Sequence, residues 1–227
     1  MTAPSERVAA TIMLLDLASL NRSPLALDPF LYTVVPHFVR PAEAALVQAD
    51  FPVIGAPGLL PVEATQHGPR FAALIRDLQS EAVAQAFSTK FGIDLTGRPT
   101  MITVRGRCQE KDGRIHPDSE AKLVSALLYF NDPWESQGGR LRLLRKPDDL
   151  EDVIAEIPPE CGTLVAFRRS DRSFHGHKPY VGIRRYVMIN WMASSFAAQK
   201  ELLRHRISAR VKRLLPVSGA LASHANG

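Results

Sequence analysis

Residues 122–130 read Lys-Leu-Val-Ser-Ala-Leu-Leu-Tyr-Phe and are followed by the turn sequence Asn131-Asp132-Pro133. A short apolar run that ends in turn residues is typical of a buried β-strand. Similar runs, separated by turn signals, recur at 100–105, 140–145, 162–168 and 184–192. We therefore predict that the second half of the chain forms a set of short strands.

The first part of the chain has a different pattern. Apolar residues recur at three- and four-residue spacing in 5–20, in a segment that begins at Pro41, and in 71–91. This spacing predicts amphipathic helices. A strand is expected within 29–36, and 52–69 is expected to be a loop because it is rich in Pro and Gly. Helices followed by regular short strands predict an α+β fold, with helices packed on antiparallel strands.

The helical pattern returns at 195–215, where the basic residues lie mostly on one side. These residues are Lys200, Arg204, Arg206, Arg210, Lys212 and Arg213. We interpret this helix as a packing face or a homodimer face with solvated charges. The alternative is an electrostatic surface for nucleic acid. No base-stacking aromatic residue alternates with these basic residues, so a nucleic-acid partner is not favoured.

Length and composition favour one compact domain over 1–227. The chain has 227 residues, 45% of them apolar, which is enough for a substantial core. Within it we expect a mostly helical part at 1–98, a β core at 99–192 and the basic helix at 195–215. No segment has the pattern of a signal peptide or a membrane span. The two cysteines, Cys108 and Cys161, are too few for a disulfide framework, so a cytoplasmic location is expected.

The sequence Gly113-Arg114-Ile115-His116-Pro117-Asp118-Ser119 contains a possible metal site. Side chains two positions apart on an extended segment point the same way, so His116 and Asp118 can bind one ion. A third ligand, His175, is available far downstream, where a turn opens another strand. Two imidazoles and one carboxylate leave three coordination positions open, as in non-haem iron(II) oxygenases.

Two alternatives accompany this interpretation. His177 has the same strand parity as His175 and competes for the role of third ligand, although the placement of His175 favours it. If His177 is not a ligand, we expect it to line the cleft. A His-x-Asp pair also occurs in surface turns, where the aspartate caps a helix and binds no metal.

Five ordered segments resemble the prolyl-4-hydroxylase-like branch of the 2-oxoglutarate/iron(II) dioxygenases. They are His116–Asp118, Ala126–Trp134 with Gly138–Leu143, Pro159–Phe167, His175–Pro179 and Arg185–Trp191. The resemblance covers roughly residues 100–192. It implies a double-stranded β-helix, or jelly roll, with helices packed on one sheet. It also implies Fe(2+), 2-oxoglutarate and O2 as cofactors, with the iron held by His116, Asp118 and His175.

The resemblance also implies a site for the cosubstrate. In this family a basic residue on the strand after the distal histidine binds the far carboxylate of 2-oxoglutarate, with help from a tyrosine. Arg184 and Arg185 are both available, and a guanidinium suits this task because it binds a carboxylate with two hydrogen bonds. The family pattern places the arginine six residues before Trp191, which favours Arg185 and leaves Arg184 on the outer face. Tyr129 matches the tyrosine.

The resemblance implies hydroxylation of an unactivated C–H bond with release of succinate and CO2. The substrate is expected to be peptidyl, prolyl, or a small amino-acid-like or sugar-like molecule. Gly176, which follows the distal histidine, is expected to widen the mouth of the site. The residues expected in the cleft form a basic and aromatic set, Arg105, Arg107, Arg114, Trp134 and His177. The other class of function is a cupin-like metal-binding protein without oxygenase activity, and a nucleic-acid demethylating oxygenase is a further alternative.

Overall fold

The computed structural model describes residues 13–203. The start of the helix expected at 5–20 and the end of the helix expected at 195–215 lie outside these residues. Helix α1 spans Leu17–Arg22, and the Asp16 side chain caps it by accepting a hydrogen bond from the Ser19 backbone. Residues 13–16 are not helical, which corrects part of the first expectation. Instead, Leu15 forms an isolated β-bridge with Val39.

Three further helices precede the main run of strands. Helix α2 spans Pro41–Ala49, α3 spans Pro69–Leu78 and α4 spans Glu81–Phe91. One continuous helix was expected over 71–91, but Ser80 interrupts it. The Ser80 side chain accepts from the Val83 backbone and so begins a new helix.

Nine strands are described. They are β1 Tyr32–Val35, β2 Leu60–Pro61, β3 Thr100–Cys108, β4 Lys122–Tyr129, β5 Leu141–Leu144, β6 Val153–Ile157, β7 Leu164–Arg168, β8 His175–Gly176 and β9 Gly182–Met192. The five runs expected from the sequence correspond to β3, β4, β5, β7 and β9. Strand β2 lies in the expected loop at 52–69, and β6 was not predicted.

The strands form two antiparallel sheets. The large sheet has the order β1-β7-β4-β9-β3-β2, and the small sheet has the order β6-β5-β8. Apolar residues from both sheets share one cluster, in which Leu127, Tyr129 and Phe167 of the large sheet accompany Leu141 and Leu143 of the small sheet. The sheets therefore face each other across this cluster. The α+β class is confirmed, whereas the full double-stranded β-helix connectivity stays a prediction.

The helices cover the other face of the large sheet. A second cluster joins buried residues of α2, α3 and α4 to β3, β4 and β9. Within it, the rings of Phe87 on α4 and Trp191 on β9 lie 4.7 Å apart. This arrangement confirms the expected packing of helices on one sheet. It leaves the inter-sheet face of β9 available to carry polar side chains.

The C-terminal segment is helical from residue 195 to residue 203, where the described part ends. This agrees with the start of the helix expected at 195–215. Within residues 13–203, no helix is both long enough and apolar enough to cross a membrane. The division of the chain as one domain stays a prediction.

Candidate functional site

The His-x-Asp segment is paired with the small sheet through the backbone. His116 and His175 exchange two N–H to C=O hydrogen bonds of 3.1 Å, and the His177 amide donates to Gly113 at 2.9 Å. The imidazole rings of His116 and His175 consequently lie 4.5 Å apart. Cross-strand pairing therefore brings together two histidines that are distant in the sequence.

Gly176 lies where these two segments approach most closely. A Cβ atom built at this position would stand 2.7 Å from the carbonyl oxygen of Gly113. Any larger residue would push the His-x-Asp segment away from β8. Gly176 therefore permits the pairing of the two segments, which is a different role from the wider mouth that the sequence suggested.

Three side chains converge as the sequence predicted. One ligand atom each from His116, Asp118 and His175 lies within 4.8 Å of the other two. Asp118 and His175 are buried, while His116 is exposed. The group does not include His177. The structure thus places one carboxylate and two imidazoles together, with one side open to solvent.

Backbone carbonyls orient both imidazoles. His116 Nδ1 lies 2.8 Å from the carbonyl oxygen of Arg114, and His175 Nδ1 lies 3.0 Å from that of Ser173. A carbonyl can only accept, so each Nδ1 carries a hydrogen, and Nε2 is the ring atom left to bind a metal. Burial lowers the pKa of His175 to about 4, although Asp118 opposes the shift. Two imidazoles and a carboxylate form a donor set that fits iron(II).

Asp118 is held by two residues of β4. Its Oδ1 atom lies 2.6 Å from the Lys122 ammonium, and its Oδ2 atom accepts a hydrogen bond from the Ser125 hydroxyl. Burial disfavours the ionised carboxyl, but Lys122 and His175, with these hydrogen bonds, outweigh burial and hold the pKa of Asp118 well below its usual range. The carboxylate is therefore ionised and fixed in orientation.

Sequence reasoning did not find Lys122 and Ser125. They are three positions apart, so a regular strand would point them to opposite faces. The pairing of β4 with β9 shifts register between Lys122 and Val124, which inserts one residue. This bulge turns both side chains toward Asp118. The polar residues Lys122 and Ser125 in an otherwise apolar strand were the available signal.

A cavity of about 390 Å³ adjoins the three converging side chains. Its charged lining consists of Asp118 with the cations Arg105, Lys122 and Arg184. Apolar residues from both sheets complete the walls, among them Leu127, Leu141 and Met188. The cavity can therefore hold an anionic compound next to the metal-binding group.

The structure corrects the expected orientation of the two arginines. Arg184 lines the cavity and is only 2% exposed, and its Nε donates to the Gly139 carbonyl at 2.7 Å. Its Nη2 lies 3.4 Å from the Tyr129 hydroxyl. Arg185 does not line this cavity and lies over the ring of Phe51 at 6.0 Å. The prediction that Arg185 points inward is therefore wrong.

Strand parity explains the correction. Trp191 packs on the helices, and residues an even number of positions before it share that face, including Val187 and Arg185. Arg184 and Tyr186 have the opposite parity and face the small sheet. Counting back six residues from Trp191 therefore reaches Arg185, which lies on the helix-covered face and not on the cavity face.

Tyr129 and His177 complete the surroundings of Arg184. Burial raises the pKa of Tyr129 to about 12, although Arg184 opposes the shift, so the phenol is neutral and can donate. Burial, with repulsion from Arg184 and Arg105, lowers the pKa of His177 to about 4. His177 lines the cavity as a neutral ring, with Nδ1 2.8 Å from the Lys178 carbonyl oxygen.

The residues expected in the cleft divide into two groups. Arg105 and His177 line the cavity. Arg107 and Arg114 are not among its lining residues, and Trp134 lines a separate pocket with Tyr180. Of the expected basic residues, Arg105 alone therefore contributes a positive charge to the cavity, and it is partly buried.

Comparisons with known proteins agree with this geometry. The family model of the 2OG-Fe(II) oxygenase superfamily matches residues 107–193, which include the three converging side chains and Arg184. No curated protein matches the chain.

Two solved structures show a similar fold. A Pseudomonas putida prolyl-4-hydroxylase aligns at 20% identity and a TM-score of 0.53, covering 78% of this chain and 97% of that one. A prolyl 4-hydroxylase from Phytophthora capsici aligns at 17% identity and a TM-score of 0.51, covering 88% of this chain and 73% of that one. Both alignments cover more of the chain than the segment that the family model matches.

Proposed function

We propose that the chain is an iron(II)- and 2-oxoglutarate-dependent oxygenase of the 2OG-Fe(II) oxygenase superfamily, and that it hydroxylates an unactivated C–H bond and releases succinate and CO2. One observation carries the proposal. The group formed by His116, Asp118 and His175 opens onto the same cavity as Arg184. The proposed metal site and the buried Arg184, the proposed carboxylate-binding residue, therefore lie in the same cavity.

In the proposal, iron(II) is bound by Nε2 of His116, Nε2 of His175 and one oxygen of Asp118. Lys122 and Ser125 orient the carboxylate, as partners of metal ligands commonly do. When bound, the iron supplies with 2-oxoglutarate and O2 the oxidising chemistry that no amino-acid side chain can provide. The protein contributes ligand geometry and the shape of the cavity.

Arg184 is proposed to bind the far carboxylate of 2-oxoglutarate, with Tyr129 as a neutral hydrogen-bond donor. Support comes from the burial of Arg184 and from its contacts with Gly139 and Tyr129, which fix the guanidinium before any ligand arrives. A fixed guanidinium loses little freedom when it binds a carboxylate. Binding of the 2-oxoglutarate carboxylate, which the sequence suggested for Arg185, is therefore assigned to Arg184.

The substrate is proposed to be a peptidyl, prolyl or small amino-acid-like molecule. His116 is exposed, so a substrate can approach the metal from that side. The apolar side chains of Leu127, Leu141 and Met188 line the same cavity and limit the water that it holds. A cupin-like metal protein without oxygenase activity would have no use for the pair of Arg184 and Tyr129, which makes this alternative less favoured.

The two adjacent arginines provide a matched test. We expect Arg184→Gln to weaken 2-oxoglutarate binding to the iron(II)-loaded protein by about tenfold or more, since one charge-assisted interaction is lost. Arg185→Gln should bind like wild type. Binding is measured by titration without O2, and succinate formation is measured after O2 is admitted. Equal effects of both substitutions would contradict the assignment of Arg184, and absence of 2-oxoglutarate binding by wild type would refute the function itself.

A further inference from the structure

The cavity holds more positive charge than its proposed ligands require. Three cations, Arg105, Lys122 and Arg184, line it together with one carboxylate, Asp118. A second carboxylate, Asp112, is paired with Arg105, so one positive charge remains in excess. Iron(II) and the 2-oxoglutarate dianion have opposite charges of equal size, so their binding leaves this excess unchanged. Lys122 is already paired with Asp118, and Arg184 is assigned to the cosubstrate. Arg105 is the cation that has no ligand in the proposed function.

Arg105 is held in place from one end. Its Nη1 lies 2.5 Å from Asp112 Oδ2, and the Asp112 carboxylate also accepts from the Gln109 backbone at 3.0 Å. The guanidinium carbon lies 5.9 Å from the centre of the Tyr186 ring, and Arg184 lies 5.1 Å from the same centre. Asp112 and Tyr186 therefore fix the guanidinium at the cavity wall.

The other edge of this guanidinium is not satisfied. Among the described residues, Arg105 Nε has no hydrogen-bond partner although it is buried. A buried N–H without a partner costs free energy, and natural structures contain few of them. The edge formed by Nε and Nη2 is the one that binds a carboxylate with two parallel hydrogen bonds.

A second buried polar atom without a partner belongs to another residue of the cavity lining. Ser119 lines the cavity, and its hydroxyl also has no partner within the described part of the chain. Ser119 follows the metal-binding aspartate directly in the sequence. A ligand that carries acceptor atoms would satisfy both Ser119 and Arg105.

We propose that Arg105 binds a carboxylate group of the substrate, so that the compound hydroxylated is an acidic molecule with its carboxylate inside the cavity. This inference rests on the proposed function and narrows its substrate class. Arg184 and Arg105 then divide the two organic anions between them, with Arg184 binding the cosubstrate and Arg105 binding the substrate. Asp112 acts as a positioning residue because it reaches the substrate only through Arg105.

The experiment compares small acids with their amides. The full chain is loaded with iron(II), saturated with 2-oxoglutarate and kept without O2. The probes are L-proline against L-prolinamide, L-aspartate against L-asparagine, and L-glutamate against L-glutamine. Binding is followed as an increase in melting temperature, since a ligand that binds only the folded state stabilises it.

We expect at least one acid to bind about tenfold more tightly than its amide, as the loss of one ion pair implies. Arg105→Gln should remove this preference and leave 2-oxoglutarate binding unchanged, and Arg105→Lys should retain part of it. Arg107→Gln is the matched control, because Arg107 lies on the same strand but does not line the cavity. It should behave like wild type.

Removal of Arg105 alone leaves Asp112 unpaired and can destabilise the fold. The double variant Arg105→Gln/Asp112→Asn replaces the ion pair by a neutral pair and should also lose the preference for acids. The inference is overturned if no acid is preferred by wild type, or if Arg105→Gln weakens 2-oxoglutarate binding as Arg184→Gln does. Failure of the proposed function would be seen earlier, as absence of 2-oxoglutarate binding by wild type.

Discussion

The two faces of strand β9 carry different kinds of side chain. Toward the helices it presents Val187, Ile189 and Trp191, which lie in the larger apolar cluster. Toward the small sheet it presents Arg184 and Tyr186, which line the cavity. One strand therefore serves stability on one face and binding on the other. A shift of one residue exchanges these roles, as the reversal of Arg184 and Arg185 demonstrates.

The largest effect is expected on the cavity face, at the metal-binding group. His175→Ala removes one of three proposed ligands and should reduce succinate formation to background and weaken iron(II) binding. Activity is measured with saturating iron(II) and 2-oxoglutarate, and folding is checked by circular dichroism. His177→Ala is the control and should retain iron(II) binding. If His175→Ala bound iron(II) like wild type and His177→Ala did not, the third ligand would be His177.

A large effect of the opposite kind is expected on the helix-covered face. Trp191→Ala leaves a cavity next to Phe87 and should lower the free energy of unfolding by about 3–5 kcal/mol. Denaturant titration measures the loss. The folded fraction should bind 2-oxoglutarate with unchanged affinity, because Trp191 does not line the cavity. A change in the 2-oxoglutarate affinity of the folded fraction would show that the two faces of β9 are coupled.

A smaller effect is expected in the pH dependence of stability, from His177 on the cavity side. Burial lowers the pKa of His177 to about 4, so its folded-state pKa is below the unfolded value of about 6.5. His177 therefore stabilises the fold above pH 6.5, and this contribution is lost as the pH falls toward 4. His177→Gln should remove about 2 kcal/mol of the stability that metal-free wild type loses between pH 7 and pH 5. An identical pH dependence in wild type and His177→Gln would disprove this.

The placement of His116 and Asp118 side by side could be predicted from the sequence because it depends on local spacing. The spacing of His116 and Asp118 places both on one side of an extended segment. The turn that opens a further strand indicated His175, and the resemblance to a family supported that choice. The strands β3, β4, β5, β7 and β9 could be predicted because each contains a short run of apolar or β-branched residues between turn signals. The role of Tyr129 was implied by the family resemblance and stays a prediction.

Features that depend on register could not be predicted in this way. The inward direction of Arg184 depends on which face of β9 the helices cover, and that is decided by packing distant in the sequence. Lys122 and Ser125 meet Asp118 only because a bulge inserts one residue in β4. Strand β6 was missed because its residues are only partly buried and lack a clear alternation. The directions of Arg184, Lys122 and Ser125 are therefore determined by strand pairing and packing between segments that are distant in the sequence.

The smallest effect concerns the boundary between α3 and α4, which supports the helix-covered face. The Ser80 hydroxyl accepts from the Val83 backbone at 3.4 Å and donates to the Asp77 carbonyl at 2.7 Å. Ser80→Ala removes this cap and should lower the free energy of unfolding by about 1 kcal/mol. Ser80→Asp is the control, since aspartate also caps helices and should restore most of the loss.

Because α4 carries Phe87 against Trp191, fraying at Ser80 loosens the support of β9 from the helix side only. The cavity face is held independently, by the bonds of Arg184 to Gly139 and Tyr129. Ser80→Ala should therefore leave the affinity for 2-oxoglutarate within error of wild type at 25 °C. A loss of affinity that Ser80→Asp reverses would mean that the order of the cavity depends on the helices, and the two faces of β9 would then have to be treated as one unit.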